Sequence, residues 1–121
     1  MDIVYKNILF ICSANKQRSK TAEDYFSAKY PKKTFTSAGT NLKICKREGT
    51  NPLTIELLEE ADLIFVMENM HKKQIIDFLG DKLTKDITIL NISDLYKYYS
   101  KELIDILEDK LGKYFEKIFA L

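Results

Sequence analysis

The sequence is poor in the residues that mark several common classes of protein. It has two cysteines, Cys12 and Cys45, and a single histidine among 121 residues. One cysteine pair does not make a disulfide framework, and no Cys/His cluster has the spacing of a zinc site. Neither a Gly-x-Gly-x-x-Gly fingerprint nor a Walker loop occurs, so the common nucleotide-binding motifs are missing too. We therefore expect neither a metal nor a cofactor.

Long hydrophobic runs are also missing. No run approaches the roughly 20 residues that a membrane-spanning helix needs. Residues 1–12 lack the apolar segment and the cleavage-like site of a signal peptide. The formal net charge is only +1, which argues against a dedicated nucleic-acid-binding protein. These absences predict a soluble protein of a reducing compartment, which we expect to be cytoplasmic.

Charge of each sign is unevenly distributed. Residues 1–50 contain ten Lys/Arg and four Asp/Glu, whereas residues 51–121 contain nine and fourteen. A basic half would attract an anionic substrate by its field. The alternative is an ordinary solvated surface rich in lysine.

The segment 8–19 (ILFICSANKQRS) carries the strongest chemical signal. An apolar run ends at Cys12, five residues follow, and then come Arg18 and Ser19. A loop between a buried strand and a helix can aim backbone N–H groups at an anion, and an arginine can grip two phosphate oxygens. The positive field of these N–H groups, the helix start and the arginine also favours the thiolate form of Cys12, which is the nucleophile. The pattern predicts chemistry on phosphate esters; the alternative is that Cys12 is simply a small buried side chain.

Hydrophobic periodicity alternates between strand and helix along the chain. It predicts strands at 7–12, 34–37, 62–67 and 87–90, helices at 19–29, 52–61, 69–79 and 101–121, and loops at 40–52 and 93–100. This order predicts a single doubly wound α/β domain over residues 1–121. It would contain a four-stranded parallel sheet with helices on both faces and the phosphate loop after the first strand.

The predicted sheet places a carboxyl group near the thiol. Ligands of such sheets bind at the carboxyl ends of the strands. Cys12 ends the first strand, and Asp94 lies just past the carboxyl end of the fourth. We therefore expect both at one edge of the sheet, although an aspartate there is equally often a turn former or a helix cap.

Taken together, the motifs resemble those of the low-molecular-weight protein tyrosine phosphatases, especially the short, compact prokaryotic members. The resemblance covers nearly the whole chain and rests on the segments 12–19 (CSANKQRS), 21–23 (TAE), 37–40 (SAGT), 61–68 (ADLIFVME) and 94–96 (DLY).

This resemblance implies a role for each matching residue. Cys12 would be the nucleophile that forms a phosphocysteine, Arg18 would stabilise the transition state, and Asp94 would be the general acid and then the base. Asn15 would adopt a left-handed conformation, Ser19 would donate to the Cys12 sulfur, and Ser37 would support Asn15. The substrate phosphate would be bound by the loop residues Ser13, Ala14, Asn15, Lys16, Gln17 and Arg18.

The chain departs from the family pattern at several positions. Ala14 replaces a glycine, Gln17 stands where larger members carry a second cysteine, and Lys20 and Leu95 replace prolines. The sole histidine, His71, is predicted to be a surface residue. An aromatic segment that walls the pocket of larger members is largely missing. Four tyrosines could line a pocket or simply cover core: Tyr5, Tyr96, Tyr98 and Tyr99. Tyr98 and Tyr99 are the better candidates because they follow Asp94.

Three functions remain open from the sequence. The first is a metal-independent phosphomonoester hydrolase acting on a phosphorylated protein or small phosphomonoester and releasing inorganic phosphate. The second is a phosphate- or phosphoprotein-binding module with little turnover. The third, arsenate reduction, needs further cysteines for a disulfide relay, and only Cys45 is present. We expect a monomer or a weak dimer that binds neither nucleic acid nor membrane.

Overall fold

A computed structural model describes residues 5–82 and 85–120. The strands are Asn7–Cys12 (β1), Thr34–Gly39 (β2), Leu63–Val66 (β3) and Ile87–Ile89 (β4). The helices are Arg18–Lys29 (α1), Leu42–Glu48 (α2), Ile55–Glu60 (α3), Asn69–Leu79 (α4) and Lys101–Ile118 (α5), and a 3-10 turn at Gly80–Lys82 follows α4. No helix among the described residues is both long enough and apolar enough to cross a membrane.

The four strands form one parallel sheet in the order β2-β1-β3-β4. The chain moves from β1 to β2 on one side and to β3 on the other, so β1 and β3 flank a topological switch point. The loops that leave these two strands separate to opposite faces and open a crevice at the carboxyl edge of the sheet. The predicted fold is confirmed, and the loop after β1 lies at this crevice.

Both faces of the sheet are covered, which explains the continuous apolar run of β1. Ile8, Phe10 and Cys12 join a core on the side of α1 and α5. Leu9 and Ile11 point to the other side, where they join a second core with residues of α3 and α4. A strand buried on both faces needs apolar residues at consecutive positions rather than alternating ones.

The main error of the sequence-based prediction concerns residues 40–52, which were expected to be a loop but contain α2. The Asn41 side chain accepts a hydrogen bond from the Ile44 N–H and caps the helix start, and Gly49 ends it with φ 71°. These are ordinary helix signals. They were overlooked because α2 is short and buries only Cys45, so it has almost no apolar periodicity.

Other boundaries moved by a few residues. The third helix begins only at Ile55, because the side chain of Thr54 caps it by accepting from Leu57 N–H. The second strand extends to Gly39, whereas β3, β4 and α5 are shorter than predicted. The expected end of the last helix at Leu121 lies outside the described residues.

Candidate active site

The loop between β1 and α1 begins and ends at buried reactive groups. Cys12 is the last residue of β1 and Arg18 is the first of α1, and each is only 2% exposed. Cys12 Sγ lies 3.0 Å from Ser19 Oγ. A thiol and a guanidinium therefore lie at the two ends of a five-residue connection at the carboxyl edge of the sheet.

The carbonyl groups of Cys12, Ser13 and Ala14, where the chain leaves β1, all point toward the segment 40–51. Thr40 N donates to Cys12 O at 2.9 Å and Asn41 N donates to Ser13 O at 3.0 Å. Thr50 Oγ1 donates to Ala14 O at 2.6 Å. In a planar trans peptide, the N–H of the next residue points opposite to the carbonyl. The N–H groups of residues 13–15 are consequently turned away from segment 40–51, as a backbone anion site requires.

The close approach of segment 40–51 depends on Gly39. A Cβ atom at this position would lie 2.5 Å from both Ser13 O and Cys45 Sγ. Cys45 is completely buried against the outer side of the loop, with Sγ 3.6 Å from Ala14 O. A side chain at residue 39 would therefore push α2 away from the loop that it supports.

Asn15 is the centre of a buried hydrogen-bond network beneath the loop. Its φ is 55°, in the left-handed region that asparagine tolerates. Asn51 N donates to Asn15 Oδ1 at 3.0 Å, which identifies the oxygen of the amide. The Nδ2 group then donates to Ser19 Oγ at 2.9 Å and to Ser37 Oγ at 2.8 Å.

The direction of this network leaves the Ser19 hydroxyl hydrogen available to the Cys12 sulfur. Ser37 donates its only hydroxyl hydrogen to Glu23 Oε1 at 2.6 Å, so it accepts from Asn15. Ser19 accepts from Asn15 as well, which leaves its hydrogen free for Cys12 Sγ. Asn15, Ser19 and Ser37, whose roles the resemblance implies, are thus brought together by hydrogen bonds. Sequence reasoning missed the outer partners Glu23 and Asn51, because nothing local shows which side chains they meet.

His71 is completely buried, so its prediction as a surface residue is wrong. Glu68 N donates to His71 Nδ1 at 3.0 Å, and His71 Nε2 lies 2.9 Å from Ser13 Oγ. Because Nδ1 accepts a backbone N–H, the ring proton is on Nε2 and is donated to Ser13. The error arose because His71 lies in the first turn of α4, where it faces the loop after β1 rather than solvent.

Arg18 contacts three acceptors at the switch point. Its Nη1 donates to the Glu68 carboxylate and to Ile92 O, the latter at 2.8 Å. Its Nε lies 3.6 Å from Asp94 Oδ1, and the Asp94 side chain is 73% exposed. Glu68 is a site residue that the sequence analysis missed. It lies two residues after the end of β3 at the same sheet edge, so the rule that selected Asp94 could have found it.

The remaining predicted residues lie at the rim. Lys16 is exposed, and its ammonium is 3.5 Å from Glu48. Gln17 occupies the N-cap position of α1. Tyr98 and Tyr99 are both partly exposed, with ring centroids 5.6 Å apart.

Burial and the nearby Arg18 charge lower the pKa of His71 from 6.5 to about 4. An unfolded chain therefore takes up a proton at His71 as the pH falls through 6.5, whereas the folded chain does not until about pH 4. We expect unfolding to become easier by about 2 kcal/mol between pH 7 and pH 5. Urea unfolding of wild type and His71→Gln at both pH values checks this, because the variant should lose that dependence. If the free energy of unfolding changed equally between pH 7 and pH 5 in both proteins, the buried imidazole could not be neutral in the folded state.

No protein-family model and no curated protein sequence matches the chain. Solved structures do match. The tyrosine phosphatase Wzb from Escherichia coli K30, in complex with phosphate, is 23% identical over 94% of this chain and 99% of that chain, with a TM-score of 0.75. SP-PTP, a low-molecular-weight protein tyrosine phosphatase from Streptococcus pyogenes, is 16% identical over 89% and 92%, with a TM-score of 0.66. The YwlE arginine phosphatase is 23% identical over 92% and 96%, also with a TM-score of 0.66. The chain therefore has the fold of the low-molecular-weight tyrosine phosphatases.

Proposed function

We propose that the protein is a cysteine-dependent phosphomonoester hydrolase that works through a phosphocysteine. The observation that carries the proposal is the loop after β1. The carbonyl groups of Cys12, Ser13 and Ala14 accept hydrogen bonds from the segment 40–51. Cys12 and Arg18 are buried at the two ends of the loop, and Asp94 lies beside Arg18. These are the groups needed to bind a phosphate dianion, attack it and protonate the departing oxygen.

The first step transfers the phosphoryl group to the protein. The Cys12 thiolate attacks phosphorus, an S–P bond forms, and the bond from phosphorus to the ester oxygen breaks. Asp94 gives its proton to that oxygen as it leaves. Charge on the transferring group is stabilised by backbone N–H groups and by Arg18, which grips oxygens with its planar fork.

The second step returns the protein to its starting state. Asp94, now a carboxylate, takes a proton from water, and the resulting hydroxide-like oxygen attacks phosphorus. The S–P bond breaks, inorganic phosphate is released, and the sulfur leaves as a thiolate. The Ser19 hydroxyl, 3.0 Å from the sulfur, stabilises that thiolate by donating a hydrogen bond.

Arg18 has capacity for a ligand in addition to its protein contacts. Nη1 holds it to Glu68 and Ile92. The hydrogen bonds among the described residues leave Nη2 unused, so its two N–H groups remain for an anion. Anchoring one nitrogen while another binds phosphate gives the guanidinium a fixed orientation, which a lysine could not provide.

An aryl phosphate is the substrate class that we propose. Tyr98 and Tyr99 follow Asp94 by four and five residues, and their partly exposed rings can cover one side of an aromatic substrate. Since structures with this fold include an arginine phosphatase as well as tyrosine phosphatases, kcat/KM for phosphotyrosine and phosphoarginine peptides should be compared directly. A preference for phosphoarginine would contradict the proposed substrate class.

Replacing the nucleophile should separate catalysis from binding. We expect Cys12→Ser to lower hydrolysis of an aryl phosphate by more than about 10³-fold, because a hydroxyl is a poor nucleophile at neutral pH. Phosphate affinity, measured by calorimetry, should persist. Arg18→Lys should lose turnover and weaken phosphate binding by about tenfold or more, as expected for a charge-assisted contact.

Arg47→Lys is the matched control for Arg18→Lys, because Arg47 is exposed on α2 and should tolerate the change. Unchanged phosphate affinity in Arg18→Lys would remove Arg18 from the anion site. Phosphate should also protect Cys12 from iodoacetate, whereas the buried Cys45 should react only after unfolding.

Hydrolysis should not require an added metal ion. The proposed mechanism obtains its charge stabilisation from Arg18 and backbone N–H groups, which take the place of a Lewis acid. Reduced protein assayed with excess chelator should retain its full rate. Loss of activity with the chelator and recovery with magnesium or zinc would contradict the mechanism.

The role of Asp94 is tested by the leaving group. We expect Asp94→Asn to lower kcat/KM by roughly 10²–10⁴-fold for phenyl phosphate. The loss should be much smaller for dinitrophenyl phosphate, whose anion leaves without a proton. Glu102→Gln and Asp105→Asn, on the nearby α5, are controls. A large, leaving-group-dependent loss in Glu68→Gln would instead assign the acid to Glu68.

A binding module with little turnover is the outcome if reduced wild type binds phosphate but hydrolyses none of these esters. Arsenate reduction has less support. Cys12 and Cys45 are the only thiols of the chain, and Cys45 is completely buried on the outer side of the loop.

A further inference from the structure

The segment 93–100 carries Asp94 but has no helix or strand of its own. Its first residues are exposed: the Asp94 side chain is 73% exposed and Leu95 is 83% exposed. Leu95 also occupies the position at which the resembled family has a proline, so the backbone lacks that restraint. Some other contact must hold this segment if Asp94 is to stay beside Arg18.

Two hydrogen bonds join the far end of the segment to α1. Tyr99 N donates to Thr21 Oγ1 at 2.9 Å, and Tyr98 Oη donates to Asp24 Oδ2 at 2.5 Å. Tyr99 has φ 57°, a left-handed conformation that is unfavourable for a bulky residue. The bond to Thr21 is one of the contacts that hold this strained backbone in place.

Thr21 is an unusual residue for its position. It is completely buried in the first turns of α1, where a β-branched polar residue is unfavourable. A helical threonine commonly turns its hydroxyl to the carbonyl four residues earlier. Here the oxygen serves as an acceptor for a backbone N–H of another segment. The polar atom in the interior thus has a specific partner.

The helix that receives these bonds also carries Arg18 and Ser19. Arg18 begins α1, and Thr21 and Asp24 follow it at successive turns of the same rigid element. Contacts with Thr21 and Asp24 therefore hold the Asp94 segment at a fixed position relative to the phosphate loop. The 3.6 Å between Arg18 Nε and Asp94 Oδ1 is consistent with that coupling.

We propose that Thr21 and Asp24 are positioning residues that hold the Asp94 segment against α1 and so keep the general acid in line with the leaving group. The inference rests on the proposed function, since it assigns these residues to the placement of Asp94. Proton transfer needs hydrogen-bond distance, and a displacement of about 1 Å can cost up to 10²-fold in rate.

The experiment compares kcat/KM over a series of aryl phosphates, from dinitrophenyl to phenyl phosphate. We expect Thr21→Val, which keeps the shape but removes the acceptor, to lose about tenfold on phenyl phosphate and less than about twofold on dinitrophenyl phosphate. Thr21→Ser keeps the acceptor and should behave as wild type. A loss of packing alone would affect both esters equally and would not be rescued by serine.

Tyr98→Phe provides a second variant at an exposed position, so its folding is not in question. It removes the hydroxyl that donates to Asp24 but keeps the ring. We expect kcat/KM to fall a few-fold on phenyl phosphate and to change little on dinitrophenyl phosphate. Tyr114→Phe, on α5, is the matched control and should show none. Urea unfolding of each variant shows which of them are folded.

The outcomes distinguish the inference from the function on which it rests. If Asp94→Asn has no leaving-group dependence, the acid role of Asp94 fails and the positioning proposal fails with it. If Asp94→Asn has that dependence but Thr21→Val and Tyr98→Phe do not, only the positioning proposal is overturned. Should Thr21→Val fail to fold, Tyr98→Phe against Tyr114→Phe decides the result.

Discussion

The structure of the site depends on where the carbonyl groups of Cys12, Ser13 and Ala14 find hydrogen bonds. All three accept from the segment 40–51, and a buried carbonyl without a donor would cost about 1–3 kcal/mol. Because each peptide is planar, satisfying the carbonyl groups on one side leaves the following N–H groups on the other. The orientation of these N–H groups, on which the proposed anion site depends, is therefore set by the segment on the outer side of the loop as much as by the loop itself. This explains why Gly39 must lack a side chain, since a Cβ atom there would contact Ser13 O.

Electrostatics imposes a second constraint on the same loop. The Arg18 guanidinium is buried, and a buried charge without partners is strongly destabilising. Glu68, Ile92 O and Asp94 supply those partners, while burial and Arg18 keep the pKa of His71 low. The neutral imidazole can thus hold Ser13 without adding a second cation. In the proposed function, the negative charge of a bound phosphate would lie close to Glu68 and Asp94, so it would have to be offset by Arg18 and the backbone N–H groups.

Sequence reasoning predicted the parts of the molecule that depend on local pattern. The bounds of β1 and α4 were predicted correctly because β1 is a continuous apolar run and Gly80 ends α4. Cys12 and Arg18 were selected from their spacing after an apolar run, and Asp94 was selected because the ends of parallel strands meet at one edge. The missed features depend on contacts between distant segments. His71 was assigned to the surface from the pattern of its own helix, although its partner Ser13 is 58 residues away. Thr50 and Asn51 support the loop, but their partners Ala14 and Asn15 are 36 residues away.

Helix α1 takes part in several of the contacts at the site, and its first turns are therefore rich in polar residues. Five polar side chains in its first seven residues contact five residues outside the helix: Arg18, Ser19, Thr21, Glu23 and Asp24. A helix used in this way has little apolar surface left to hold it in place. The attachment is concentrated in Ala22 and Phe26, which are both completely buried. The ring of Phe26 lies 5.9 Å from that of Phe10 and 4.8 Å from that of Phe115. Aromatic packing of one residue against β1 and α5 thus provides the rigidity on which the polar contacts of the site depend.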